Sequence, residues 1–148
     1  MTKLEFSIDL LSDSKSIFDL MVDYESYSSY IPAQLKKCII LEKKEDKVVT
    51  EEVLSFSTII KNEIRQQTIH RKDPDNNLHS EIISGPAKGT KIDVLFGKKE
   101  SGTRVTVNLD LKLSLKAKFL QPLIKKYYKM VITSILYKMS AEIEAKTS

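Results

Sequence analysis

Hydrophobic and polar residues alternate strictly along two stretches of the chain. In the first, Leu4, Phe6, Ile8 and Leu10 fall on one face of a strand, because successive side chains of an extended backbone point to opposite sides. In the second, Val105, Val107, Leu109, Leu111, Leu113 and Leu115 alternate with Arg104, Thr106, Asn108, Asp110, Lys112 and Ser114. Such a pattern belongs to an antiparallel sheet with one face buried and the other wet.

Between these stretches the period changes. "SDSKSIFDLMVD" supplies Asp13 or Ser14 as a helix cap, followed by Ile17, Phe18, Met21 and Val22 at helical spacing. Tyr24, Tyr27 and Tyr30 then recur every third residue and share one side of a second short helix. Pro32 ends it, since the residue before a proline is pushed out of helical geometry. From there the pattern predicts strands near 35–43, 47–57, 59–71, 78–84, 90–98 and 103–115. Turns at "KKEDK", "KDPDNN", "GPAKG" and "KESG" separate most of them.

From about Ala117 to Lys146 the period is helical again. Leu120, Ile124, Tyr127, Tyr128, Val131, Ile135 and Met139 form an apolar stripe, and Pro122 is tolerated near the first turn. A helix of that length reaches about 40 Å, enough to cross a whole sheet. Lys125, Lys126, Lys129 and Lys138 interrupt it, so it is not a membrane span. The order is therefore strand, two short helices, six strands and a long closing helix. This is an α+β arrangement in which the last helix covers the apolar face of the sheet.

At 148 residues the chain reads as a single domain over 1–148. Hydrophobic residues at 41% and charged residues at 30% describe a soluble globular protein. The first twelve residues carry no apolar run of a secretory signal, which points to a cytoplasmic location. The lone Cys38 excludes an internal disulfide and reads as a small core residue.

Candidate chemistry is sparse, and no catalytic residue, metal ligand or cofactor is assigned. His70 and His79 flank the "KDPDNN" turn, where they read either as exposed loop residues or as a cross-strand pair. In "TIIKNEIRQQTIHR" neither phase is purely apolar. Either this strand is wet near its ends, or its inner face meets a partly polar cavity. In the second case Gln66 or Asn62, or else Glu63 and Arg65 in the other phase, would orient the polar head of an apolar ligand. Lys116, Lys118, Lys125, Lys126 and Lys129 cluster around the start of the long helix, with Lys36 and Lys37 elsewhere. A solvated face explains them, and so does peripheral contact with an anionic membrane or RNA, because cations at a helix start are opposed by its dipole.

The element order, together with "VDYESYSSYIP", "CIILEKKEDKVVTEEVLSF" and "ISGPAKGT", resembles the START-like (SRPBCC) superfamily. The nearest likeness is to its polyketide cyclase/dehydrase and lipid-transport group, which includes coenzyme Q-binding proteins. The resemblance implies a helix-grip fold, in which a seven-stranded antiparallel curved sheet wraps the C-terminal helix around an apolar cavity. Gly85, Pro86 and Gly89 would form a rim loop. The chain departs from the coenzyme Q-binding pattern at Ala87 and in having no tryptophan. The function implied is sequestration or transport of an apolar small molecule or lipid. Leu120, Ile124, Tyr127 and Val131 would line the helix side and Phe56, Ile64, Phe96 and Leu111 the sheet side. Gln66 would meet a polar head, and Tyr27 and Tyr30 would stand at the closed end, with Tyr30 the tyrosine expected to pack as core. Two alternatives accompany this reading. One is an aromatase/cyclase or dehydratase using Glu63, Arg65 or a tyrosine, and the other is a ribosome- or RNA-associated protein of the toxin type.

Overall fold

Asp13 opens the first helix by accepting hydrogen bonds from the Ser16 backbone N–H at 3.0 Å and the Ser16 hydroxyl at 2.7 Å. These bonds satisfy a donor that the helix start leaves free. In the computed structural model, which describes residues 2–56 and 63–147, this helix is α1 (Ser14–Met21). A 3-10 turn (Tyr24–Ser26) and a single helical turn, α2 (Tyr27–Tyr30), follow. The chain leaves α2 at Ile31, directly before Pro32, with φ −139°.

Seven strands form one antiparallel curved sheet: β1 (Thr2–Leu10), β2 (Leu35–Lys43), β3 (Val48–Leu54), β4 (Ile64–Lys72), β5 (Leu78–Ile82), β6 (Lys91–Lys98) and β7 (Thr103–Leu111). Their spatial order is β1-β7-β6-β5-β4-β3-β2, so the short helices carry the chain from β1 at one edge of the sheet to β2 at the other, and β1 pairs with the last strand. Ile8 lies opposite Val105, Phe6 opposite Val107 and Leu4 opposite Leu109. The two alternating stretches thus share one inner face. Irregular register in the β2–β3 pair, between Leu35 and Lys37 and between Ile40 and Glu42, marks bulges that bend a strand and raise its twist.

The closing helix, α3 (Gln121–Thr147), has 27 residues, about 40 Å at the usual rise. Tyr127, Val131, Ile135, Leu136 and Met139 join Ile8, Leu10, Ile17, Val105 and Val107 in the main core, and Ile124 and Tyr128 join Ile82, Leu109 and Leu111 in a second cluster. Between β7 and α3 the expectation needs correction. β7 ends at Leu111, and residues Leu115–Leu120 form a 3-10 helix before α3 begins at Gln121. Leu115, placed by the alternation on a buried face, is 85% exposed. The ladder ends with Leu111 opposite Thr2; beyond it the Lys112 N–H donates to the Thr90 hydroxyl and the Ser114 N–H to the Pro86 carbonyl, contacts with a loop that do not hold the extended period. β2, β3, β5 and β6 fall within the predicted ranges, while β1 starts earlier, at Thr2, and β4 runs on to Lys72; the expected strand positions 57 and 59–62, Asn62 among them, lie outside the described residues.

Candidate functional site

Where β1 and β7 face α3, the sheet presents Val105, Val107 and Ile8, and the core is filled. Across β3, β4 and β5 the inner face is different. Thr50, Glu52 and Leu54 of β3 lie opposite Thr68, Gln66 and Ile64 of β4, and Ser80 of β5 lies opposite His70. These side chains are mostly short and polar, and they leave a cavity of about 140 Å³ under α3. Its apolar wall includes Leu35, Leu78, Val94, Val131, Ile135 and Leu136, while Met21, Tyr24 and Tyr27 from the short helices border one end.

The polar groups are knitted together. Glu52, 9% exposed, accepts on Oε2 from the Thr50 hydroxyl at 2.6 Å. On Oε1 it accepts from the Thr68 hydroxyl and from Gln66 Nε2 at 3.2 Å. Burial raises its pKa, against the pull of these three donors. The Thr50 hydroxyl proton is committed to Glu52, so at its 2.8 Å contact with His70 Nε2 the ring must donate. His70 Nδ1 is then the acceptor of the Ser80 hydroxyl at 2.7 Å. His70 also stacks on Tyr24, with centroids 4.2 Å apart. Burial lowers its pKa to about 4, so the ring is neutral at pH 7. Cys38 lines the same cavity, and burial pushes its thiol up to about 12, which makes it unreactive.

Gln66 completes the polar end. It is 5% exposed, its Nε2 is held by Glu52, and its Oε1 has no hydrogen-bond donor among the described residues. Tyr128 neighbours its amide without bonding that oxygen. Gln66 and Tyr128 also border a second space of about 20 Å³ that Phe56, Ile64 and Ile124 help to line, room for about one water.

Of the residues expected to bind a ligand, Tyr27, Gln66 and Val131 therefore line the main cavity, and Phe56, Ile64 and Ile124 line the small one. Five line neither. The Tyr30 hydroxyl turns away to donate to Glu142 at 2.6 Å. Phe96 sits edge-on against Phe18 at 6.1 Å. Leu111 is consumed in the second core cluster, and Leu120 packs on it. Tyr127 packs against Phe56 at 4.0 Å and donates to the Ser55 carbonyl at 2.9 Å. Of Tyr24, Tyr27 and Tyr30, it is Tyr24 that is buried in the core, and Tyr30 packs against that core only part-buried. The Tyr24 ring is pinned between Tyr27 and His70.

Other expectations are corrected as well. Glu63 and Arg65 are exposed, and Arg65 pairs with Glu51 on the outer face. His70 and His79 do not face each other: His70 opposes Ser80 inside, while His79 opposes Arg71 and bonds Asp93 at 2.7 Å and Asp73 at 2.9 Å outside. Glu52, Thr50, Thr68 and Ser80 escaped sequence reasoning. In "VVTEEVL" both phases mix apolar and polar residues, so alternation could not tell Glu51 from Glu52.

No protein-family model matches the chain, and no curated protein sequence matches it. Solved structures do match in shape. The Zhui aromatase/cyclase from Streptomyces sp. R1128 superposes with a TM-score of 0.83 at 10% identity, over 99% of this chain and 96% of that one. A START superfamily protein from Mycobacterium smegmatis gives 0.78 at 13% identity, over 95% and 98% of the two chains. The fold is START-like. A STAR-related lipid transfer protein from Xanthomonas axonopodis shares it, at a TM-score of 0.73 and 8% identity over 93% of this chain and 85% of that one. The START-like helix-grip arrangement is the one in which a sheet, two short helices and a long C-terminal helix come together as here. No helix among the described residues is long and apolar enough to cross a membrane.

Proposed function

We propose that the chain binds a small apolar molecule in the cavity between the sheet and α3, with its one polar group toward Glu52 and Gln66. The observation that carries this reading is the division of the cavity lining between apolar side chains and one hydrogen-bonded cluster of polar side chains on β3, β4 and β5, as in small-molecule sites in general. START-like neighbours named for lipid transfer and for aromatase/cyclase activity are consistent with it. Size sharpens it. At about 140 Å³ the cavity is close to an engineered apolar cavity of about 150 Å³ that takes up benzene. It is well below the ~300 Å³ at which drug-sized pockets begin. The ligand is accordingly a molecule of a single ring or a short chain, gaining ~0.8 kcal/mol for each buried CH₂ before ordering costs. The test is a titration of the labelled protein with toluene, followed through methyl resonances of Leu78, Val131 and Ile135. Saturable shifts at these residues are expected, and their absence would end this reading.

A catalytic reading has its own observation: the hydrogen-bonded run Ser80–His70–Thr50–Glu52 borders the cavity. Reversing every donor in the run carries a proton between Ser80 and the carboxylate, which suits acid–base work on a bound carbonyl compound, as in a cyclase or dehydratase. A compound extracted from the protein in organic solvent and returned to it decides between the two. Recovery unchanged in mass leaves a binding protein, and conversion that Glu52→Gln abolishes makes it an enzyme. The lysines around the start of α3 enter neither reading, because nothing in the fold or its neighbours supports contact with a membrane or RNA.

A further inference from the structure

Gln66 lines the cavity, and its Oε1 is a buried carbonyl oxygen that accepts from no donor among the described residues. Leaving such an acceptor dry is costly, so an unpaired buried carbonyl on a residue that lines the cavity points to a donor carried by whatever enters it. The orientation of the amide is set by its other end, since Nε2 donates to Glu52 Oε1. Turning the amide over would set carbonyl against carboxylate.

The neighbouring groups narrow what that donor can belong to. Both Glu52 oxygens are already occupied, Oε2 by Thr50 and Oε1 by Thr68 and Gln66, so within the Glu52–Gln66 pair the acceptor left over is a neutral amide and not a charge. Among the described residues, no lysine or arginine lines the cavity. A ligand carboxylate would enter beside Glu52 with no cation to meet it, at the high cost of a buried unpaired charge.

We propose that Gln66 Oε1 is a specificity acceptor: the cavity selects a neutral, largely apolar molecule of single-ring size bearing one hydroxyl donor, and rejects the matching carboxylate and O-methyl ether. This rests on the cavity being a binding site, as proposed above. It adds the chemical class of the ligand's head group.

The probes are 4-methylphenol, 4-methylanisole and 4-methylbenzoate, with toluene as the reference that reports cavity binding alone. Titrations of the labelled wild-type protein are expected to place 4-methylphenol at least about tenfold tighter than 4-methylanisole, the worth of one hydrogen bond, and 4-methylbenzoate weakest. Gln66→Met, which keeps the volume and removes the acceptor, is expected to shrink the phenol–anisole gap to less than about threefold while toluene still binds. If that variant does not fold, the Gln66 side-chain amide resonances of the wild type carry the test. They are expected to shift with 4-methylphenol and not with 4-methylanisole. Equal binding of the phenol and the anisole, preference for the benzoate, or an unresponsive Gln66 amide would each overturn the inference while toluene binding left the cavity reading standing. Failure of toluene to bind would remove both.

Discussion

His70 and His79 flank one hairpin turn and end in opposite chemical states. His79 lies on the outer face, where Asp73 and then Asp93 raise its pKa by hydrogen bonding its ring. His70 lies on the inner face, and burial lowers it to about 4. A proton titration of the two imidazoles should therefore show one above the ordinary 6.5 and the other near 4. The consequences for stability also oppose each other. His79 stabilises the fold below pH 6.5 and ceases to do so as pH rises through its raised value. His70 does the reverse: the unfolded chain takes up its proton first, so stability falls from pH 6.5 toward 4. Down to pH 4.5 this amounts to at most roughly 3 kcal/mol. Glu52 offsets part of it, since a carboxyl with a raised pKa favours the folded state as it protonates. Urea unfolding at pH 7 and pH 4.5 isolates the histidine, because His70→Gln should lose less stability on acidification than the wild type. Equal losses would mean that the ring is solvated through the cavity.

At the scale of elements, the sheet's closure depends on the β6–β7 turn. Gly102 holds φ at +96°, and a Cβ there would lie 1.9 Å from the Leu10 carbonyl oxygen. The turn thus lets β7 start beside the end of β1, with Thr103 opposite Leu10. Gly102→Ala has to shift that backbone as well as adopt a disfavoured φ, and should cost at least ~1–3 kcal/mol in denaturant unfolding. A loss below about 0.5 kcal/mol would show that the turn relaxes freely. The alternation of β1 and β7, the α1 cap and the turns were legible in the sequence because each rests on local geometry. The exit from β7 was not. "LKLSLK" continues a period of two, and only the loss of a neighbouring strand releases Leu115 into a 3-10 helix.

At the scale of the whole molecule, the cavity exists because α3 spans a sheet whose two ends are dressed differently. Large aliphatics fill the space over β1 and β7, whereas Thr50, Thr68 and Ser80 fall short of the helix over β3, β4 and β5. Filling the space should therefore separate stability from binding. Val131, on the helix wall, can be enlarged into it. Val131→Phe is expected to change unfolding stability by no more than about 1 kcal/mol, since the added ring occupies empty volume. It should weaken toluene binding at least about tenfold. A strongly destabilised variant, or one that still binds toluene normally, would place the usable space elsewhere.

The sequence by itself determined the order of elements, the apolar stripe of α3 and the faces of β1 and β7, since these follow from periodicities of two and 3.6 and from turn chemistry, and its motifs carried the resemblance to a START-like fold. It also singled out Gln66 as one of several polar candidates on an ambiguous strand. Only the tertiary structure decided which phase of β3 and β4 turns inward, and hence that Glu52 and His70 face the cavity while Glu51, Glu63 and Arg65 face solvent. The physical reason is that a mixed strand has no preferred face of its own. Its register against its neighbours and the helix laid across them choose for it, and that choice left the Gln66 carbonyl oxygen buried without a donor among the described residues.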